Sequence, residues 1–125
     1  MTDTRPVYLN LFQIRLPITG MVSFAHRVSG FLLFLAIPVS VYIFGLSLTS
    51  EAGFAQSLQM LQQPVVQLVL LILVWAFAHH LLAGIRYLCL DFDIGIDKTG
   101  SRISALIVII SELSIIAVYV WGVML

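Results

Sequence analysis

Three long apolar runs decide what this chain can become: Val28–Leu48, Pro64–Ile85 and Ile103–Leu125. Each is close to the roughly 20 apolar residues that a helix needs to cross the hydrocarbon of a bilayer. The first two hold no Asp, Glu, Lys or Arg, and the third holds only Glu112. In lipid every backbone N–H and C=O must find its partner inside the segment, so runs of this length are read as helices. A chain that is 61% hydrophobic and 10% charged is no ordinary soluble domain, which carries about a quarter charged residues. The expected fold class is all-α: an integral membrane protein of three transmembrane helices forming a single domain over residues 1–125.

The rest of the chain narrows the reading. The polar stretch Thr49–Gln63 connects the first two runs, and Arg86–Arg102, with Asp91, Asp93 and Asp97, connects the last two. These aspartates read as a solvated loop. Pro38 is expected to kink the first span. The opening MTDTRPVYLNLFQIRLPITG has neither a continuous apolar core nor a small-residue cleavage site. It reads as a retained segment, not a signal peptide, lying along the interface or under a partner. Net charge is zero, so nothing suggests nucleic acid, and the single Cys89 excludes an internal disulfide and a cysteine-only metal site. All six cations (Arg5, Arg15, Arg27, Arg86, Lys98 and Arg102) fall on one side of three spans. The positive-inside rule then puts the N-terminus and second loop in the cytoplasm or matrix and the C-terminus outside.

The chemistry begins at His80. An ionisable side chain inside an apolar run is a functional-site hypothesis in itself. Ala76, Ala83 and Gly84 share its helical face, which leaves room for a broad, flat group. A haem held by a neutral imidazole fits that space. A second cluster opens the first span, in Ser23-Phe24-Ala25-His26-Arg27-Val28-Ser29-Gly30. Ser23, Arg27 and Gly30 fall at i, i+4 and i+7 on one face, with His26 about 100° away. His80 lies roughly 9 Å below Arg86 along its helix, so His80 and the Arg27 cluster belong to the same leaflet. Fixed donors at that depth suit a carbonyl that gains negative charge on reduction.

With these residues in place, the chain resembles the cytochrome b membrane anchor of succinate dehydrogenase, respiratory complex II. His26-Arg27-Val28-Ser29-Gly30, preceded by RPVYLNLFQIRLPIT, resembles that family's first signature, and His79–Asp91, HHLLAGIRYLCLD, its second. Order, spacing and three-helix layout agree over nearly the whole chain. The resemblance implies that His80 is an axial ligand of haem b, that Ser23 and Arg27 line a ubiquinone pocket, and that His26 lies near the haem propionates. It also implies the partners: a second small membrane anchor that supplies the other axial His, an iron–sulfur subunit and a flavoprotein. The chain would pass electrons to quinone without binding succinate, as a multi-pass subunit of a bacterial-type inner membrane. Tyr87 departs from the pattern, because relatives often carry His after Gly-Ile-Arg.

Blander readings stand beside these. His79 points away from His80 and reads as structural. Arg27 and Arg86 could be interface anchors that snorkel, the favoured reading for Arg86. Gly30, Ala83 and Gly84 serve helix packing as readily as ligand clearance. Glu112 lies roughly 14 Å into the bilayer and is expected to be protonated or paired across a helix interface. The rival functions are a fumarate reductase or other haem b anchor, and a non-redox proton-conducting subunit with His80 and Glu112 as relay groups.

Overall fold

The computed structural model describes residues 15–124; the opening stretch with Arg5, and Leu125, lie outside the described residues. The elements are α1 (Ile18–Ser47), α2 (Glu51–Leu61), α3 (Pro64–Asp91) and α4 (Lys98–Tyr119), the last continuing into a π-helical turn over Val120–Met124. Among the described residues there is no strand. α1, α3 and α4 are long and apolar enough to cross a membrane, so the all-α, three-span class is borne out. Each helix overshoots the expected run at its polar end. α1 begins at Ile18 rather than Val28 and α3 ends at Asp91 rather than Ile85. The helical hydrogen-bond ladder does not stop where hydrophobicity stops, so Ser23, His26 and Arg27 are helical residues.

Local chemistry sets the ends. Pro64 opens α3 at its first turn, where a missing N–H costs nothing. Asp97 is not merely a solvated loop residue. Its side chain caps α4 by accepting from the N–H groups of Thr99 and Gly100 at 3.1 and 3.0 Å. The turn before it bends through Gly95, at φ 71°, a conformation that suits a residue without Cβ. α1 runs on through Pro38. α2 was not expected from Thr49–Gln63. Ser50 starts it by accepting from the N–H of Gly53 at 3.0 Å, and Ser57 ties it to α1 through the carbonyl of Ile43 at 3.3 Å.

The three long helices alternate in direction along the chain, and their tight contact is concentrated in the half that holds the cations. There Val22, Ala83, Ala105 and Val108 form the buried cluster, flanked by Ile18, Leu82, Tyr87 and Ile109. The small residues let helix backbones approach where lipid provides no hydrophobic drive for association. Large apolar side chains such as Phe31, Phe34, Phe77, Ile107 and Trp121 point outward, as lipid-facing residues do. At the opposite end α1, α2 and α3 line a half-open apolar cleft of about 660 Å³, with Val39, Ile43, Phe54 and Leu73 among its walls.

Candidate functional site

Adjacent residues on a helix point about 100° apart, and α3 uses that step to aim two consecutive histidines differently. His79 is 1% exposed and faces both neighbours. Its Nε2 lies 3.2 Å from the carbonyl of Val22 on α1, and its Nδ1 is hydrogen-bonded to Glu112 Oε2 on α4. A carbonyl can only accept, so Nε2 carries a proton. Nδ1 and the carboxyl group then share one further proton, and the pair is net neutral wherever that proton sits. This satisfies the cost of placing Glu112 inside the bilayer. The expected pairing across a helix interface is present, with His79 as the partner. Glu112 bonds His79 and makes no direct hydrogen bond to His80.

His80 faces α1 one turn further along. Its Nδ1 lies 3.1 Å from the carbonyl of His26 and 3.4 Å from Ser29 Oγ. The carbonyl again fixes the tautomer: Nδ1 donates, and Nε2 keeps its lone pair. Gly30 makes the approach possible, because a Cβ there would lie 2.8 Å from His80 Cε1. The imidazole stacks flat on His26, with centroids 4.1 Å apart and planes 5° from parallel. Imidazole lone pairs lie in the ring plane, so two rings stacked face to face do not aim them at one iron from opposite sides. Of the two imidazoles, His80 has its tautomer set by a carbonyl on Nδ1, which leaves its Nε2 lone pair uncommitted. No group of three or more His, Cys, Asp or Glu side chains gathers among the described residues, so any metal here would depend on a prosthetic group or a second chain.

The small residues beside His80 do not leave an open slot. Ala76 and Ala83 are fully buried, and Ala83 packs against Val22, Ala105 and Val108. Neighbouring helices fill the space that small side chains open. The clearance lies instead at Gly30, for His80, and at Gly84, where an added Cβ would sit 3.7 Å from His26 Nε2. His26 is half-buried, at the level of His80. Its Nε2 and the Tyr87 hydroxyl are buried without hydrogen-bond partners, and the Tyr87 ring meets it edge-on at 5.2 Å.

Ser23 and Arg27 lie on the same face of α1 as Gly30. Arg27 is exposed and Ser23 half-buried. Gly30 touches His80. Arg27 is thus roughly 4.5 Å and Ser23 roughly 10.5 Å along the helix from the point of contact. Arg86 departs from the snorkelling expectation. It is 6% exposed and turns into the bundle, where Nε donates to Ser104 Oγ at 2.9 Å. Its Nη2 donates to the Ser101 carbonyl at 3.1 Å and to Ser101 Oγ at 2.9 Å. The guanidinium finds enough acceptors inside to remain there. Ser101 and Ser104, three residues apart at the start of α4, were the available signal for this contact.

Comparison with known proteins adds the context. The family model for the succinate dehydrogenase/fumarate reductase transmembrane subunit matches residues 1–120. The chain is similar to the succinate dehydrogenase cytochrome b556 subunit of Coxiella burnetii (strain RSA 493 / Nine Mile phase I), 34% identical over 123 residues, 97% of this chain and 98% of the relative. It is similar also to the succinate dehydrogenase cytochrome b556 subunit of Paracoccus denitrificans, 27% identical over 122 residues, 94% of each chain.

Proposed function

Because this chain belongs to the succinate dehydrogenase/fumarate reductase transmembrane subunit family, we propose that it is the membrane subunit through which succinate oxidation is coupled to quinone reduction. In this reading His80 would hold the iron of a haem b together with a ligand from a second small anchor. An iron–sulfur subunit and a flavoprotein dock at the cationic end, on the cytoplasmic side. The names of both relatives, cytochrome b556 subunits, support the haem assignment. The observation that carries it is the tautomer of His80: Nδ1 is committed to the His26 carbonyl, and Nε2 keeps the lone pair that iron needs. An imidazole held from behind by a carbonyl is oriented and made more basic for coordination. When bound, the haem would supply a one-electron redox centre.

Quinone reduction takes up two electrons and two protons and yields the quinol. The electrons come from the iron–sulfur partner. The carbonyl oxygens gain negative charge as they arrive, and Arg27 meets that charge with a guanidinium that does not deprotonate. Ser23 donates a hydrogen bond to a carbonyl oxygen and passes a proton to it, regaining one from the membrane surface. Removing one aligned donor from a desolvated site costs on the order of 3 kcal/mol of transition-state stabilisation. Ser23→Ala and Arg27→Leu should therefore cut succinate–quinone turnover on the order of a hundredfold. Succinate oxidation with an artificial acceptor at the flavoprotein should persist. The decisive quantity is the ratio of the two activities in assembled, haem-containing complex. A parallel fall in both would place the damage in assembly, and no fall in either would move the quinone away from this face.

A further inference from the structure

The mechanism leaves the buried His79–Glu112 pair without a task. We propose that this pair is a positioning device for His80: it sets the rotation of α3 about its axis and so the aim of the His80 Nε2 lone pair. The inference rests on His80 as a haem ligand.

The geometry is that of two anchors one turn apart. His79 and His80 are consecutive on α3, and each addresses a backbone carbonyl of α1, that of Val22 at 3.2 Å and that of His26 at 3.1 Å. Val22 and His26 are four residues apart, so the two carbonyls lie one above the other on the same ridge. Two contacts on one helix still allow a rocking motion about the ridge. Glu112 removes it, because it holds His79 Nδ1 from α4. One side chain thus joins three helices at the level of the proposed ligand. Ser29 is also buried at this level, with its Oγ 3.4 Å from His80 Nδ1, and Arg86 ties α3 to α4 about two turns further along, but neither bonds to His79 or Glu112. Besides His79, Glu112 and Ser29, the residues buried between these helices here are Val22, Ala76, Ala83, Ala105 and Val108, none of which can replace the hydrogen bond between His79 and Glu112.

A small rotation suffices to matter. Side-chain atoms lie ~5–6 Å from a helix axis, so a turn of ~10° moves the His80 imidazole by about 1 Å. Metal–ligand distances tolerate only about 0.2 Å. Residues that orient a metal-binding histidine typically contribute on the order of tenfold or more in affinity, although they never touch the metal.

The chemistry of the pair predicts which substitutions are tolerated. Glu112→Gln keeps an N–H that can donate to a neutral His79 Nδ1. Glu112→Leu leaves Nδ1 buried and unpaired. Glu112→Asp keeps the acid but shortens its reach by one methylene. The test uses the assembled complex, measuring haem per flavin, the electron paramagnetic resonance g-values of the oxidised haem, and its midpoint potential. Glu112→Gln should match the wild type in all three. Glu112→Leu should weaken haem retention on the order of tenfold, with shifted g-values in the fraction that keeps haem. Glu112→Asp should assemble with full haem and shifted g-values. Wild-type g-values and potential in both Leu and Asp variants would overturn the proposal, as would a failure of assembly in Leu combined with a wild-type spectrum in Asp. His80→Ala separates this from the underlying reading. Retention of a normal haem spectrum there would remove His80 as ligand, whatever Glu112 does.

Discussion

A single methyl group at residue 30 is expected to disturb the contact between α1 and α3 at His80. The Cβ of Gly30→Ala would lie 2.8 Å from His80 Cε1, so the imidazole must leave its bond to the His26 carbonyl. Haem content of the purified complex should fall well below that of wild type, and the reduced α-band should shift. Gly84→Ala is the control. Its Cβ would meet His26 Nε2 at 3.7 Å, an ordinary contact, and the spectrum should be unchanged. A haem-pocket role for position 30 is excluded if the two variants behave alike. At this scale the residue types were legible and the partners were not. His80 stood out because hydrocarbon penalises an ionisable group wherever it is placed. That its Nδ1 would meet a carbonyl, and that His26 would lie flat upon it, depended on a second helix more than fifty residues away in sequence.

Among the helix pairs, α3 and α4 are joined by the strongest polar contact at the cationic end. Arg86 makes three hydrogen bonds to Ser101 and Ser104. Hydrogen bonds to a charged group contribute about 1.5–3 kcal/mol each in soluble proteins, and less on average inside membranes. Arg86→Leu leaves both hydroxyls without this donor and should destabilise the α3–α4 contact by about 2 kcal/mol. The measurement is the thermal inactivation midpoint of the detergent-solubilised complex, expected to drop by several degrees. Arg86→Lys should recover only part of the loss, because an ammonium lacks the planar fork that reaches two serines at once. A snorkelling Arg86 would predict full recovery by lysine. The length of each apolar run was enough to announce α1, α3 and α4. The helix α2 was hidden, because its start depends on a cap at Ser50 and a seat on the end of α1, and its composition is that of a polar connection.

For the whole molecule, the described cations gather at one end. Arg15 and Arg27 sit in or beside the first turns of α1, Arg86 near the end of α3, and Lys98 and Arg102 at the start of α4. We expect this end, with the N-terminus, to face the cytoplasm. A reporter fused after residue 125 should give the signal of the external face, and a cytoplasmic signal there would contradict the orientation. The outward display of phenylalanine, isoleucine and valine side chains would be an aggregation hazard in water. In a bilayer the same surface is covered by lipid.

Sequence alone determined the solvent of this protein, and through the solvent its fold class. Runs of about 20 apolar residues cannot leave backbone groups unpaired in lipid, so they become helices regardless of what they pack against. It also carried the two motifs that resemble the family, since those are strings of neighbouring residues. Tertiary structure alone decided which small residues became packing and which became clearance. Ala76 and Ala83 were filled by adjoining helices, while Gly30 admitted an imidazole. It likewise decided that Glu112 pairs with His79 and that Arg86 turns inward. The reason is the same in each case. A polar atom within a membrane helix takes the donor or acceptor that another helix brings to its depth and azimuth, and a single run of sequence specifies neither.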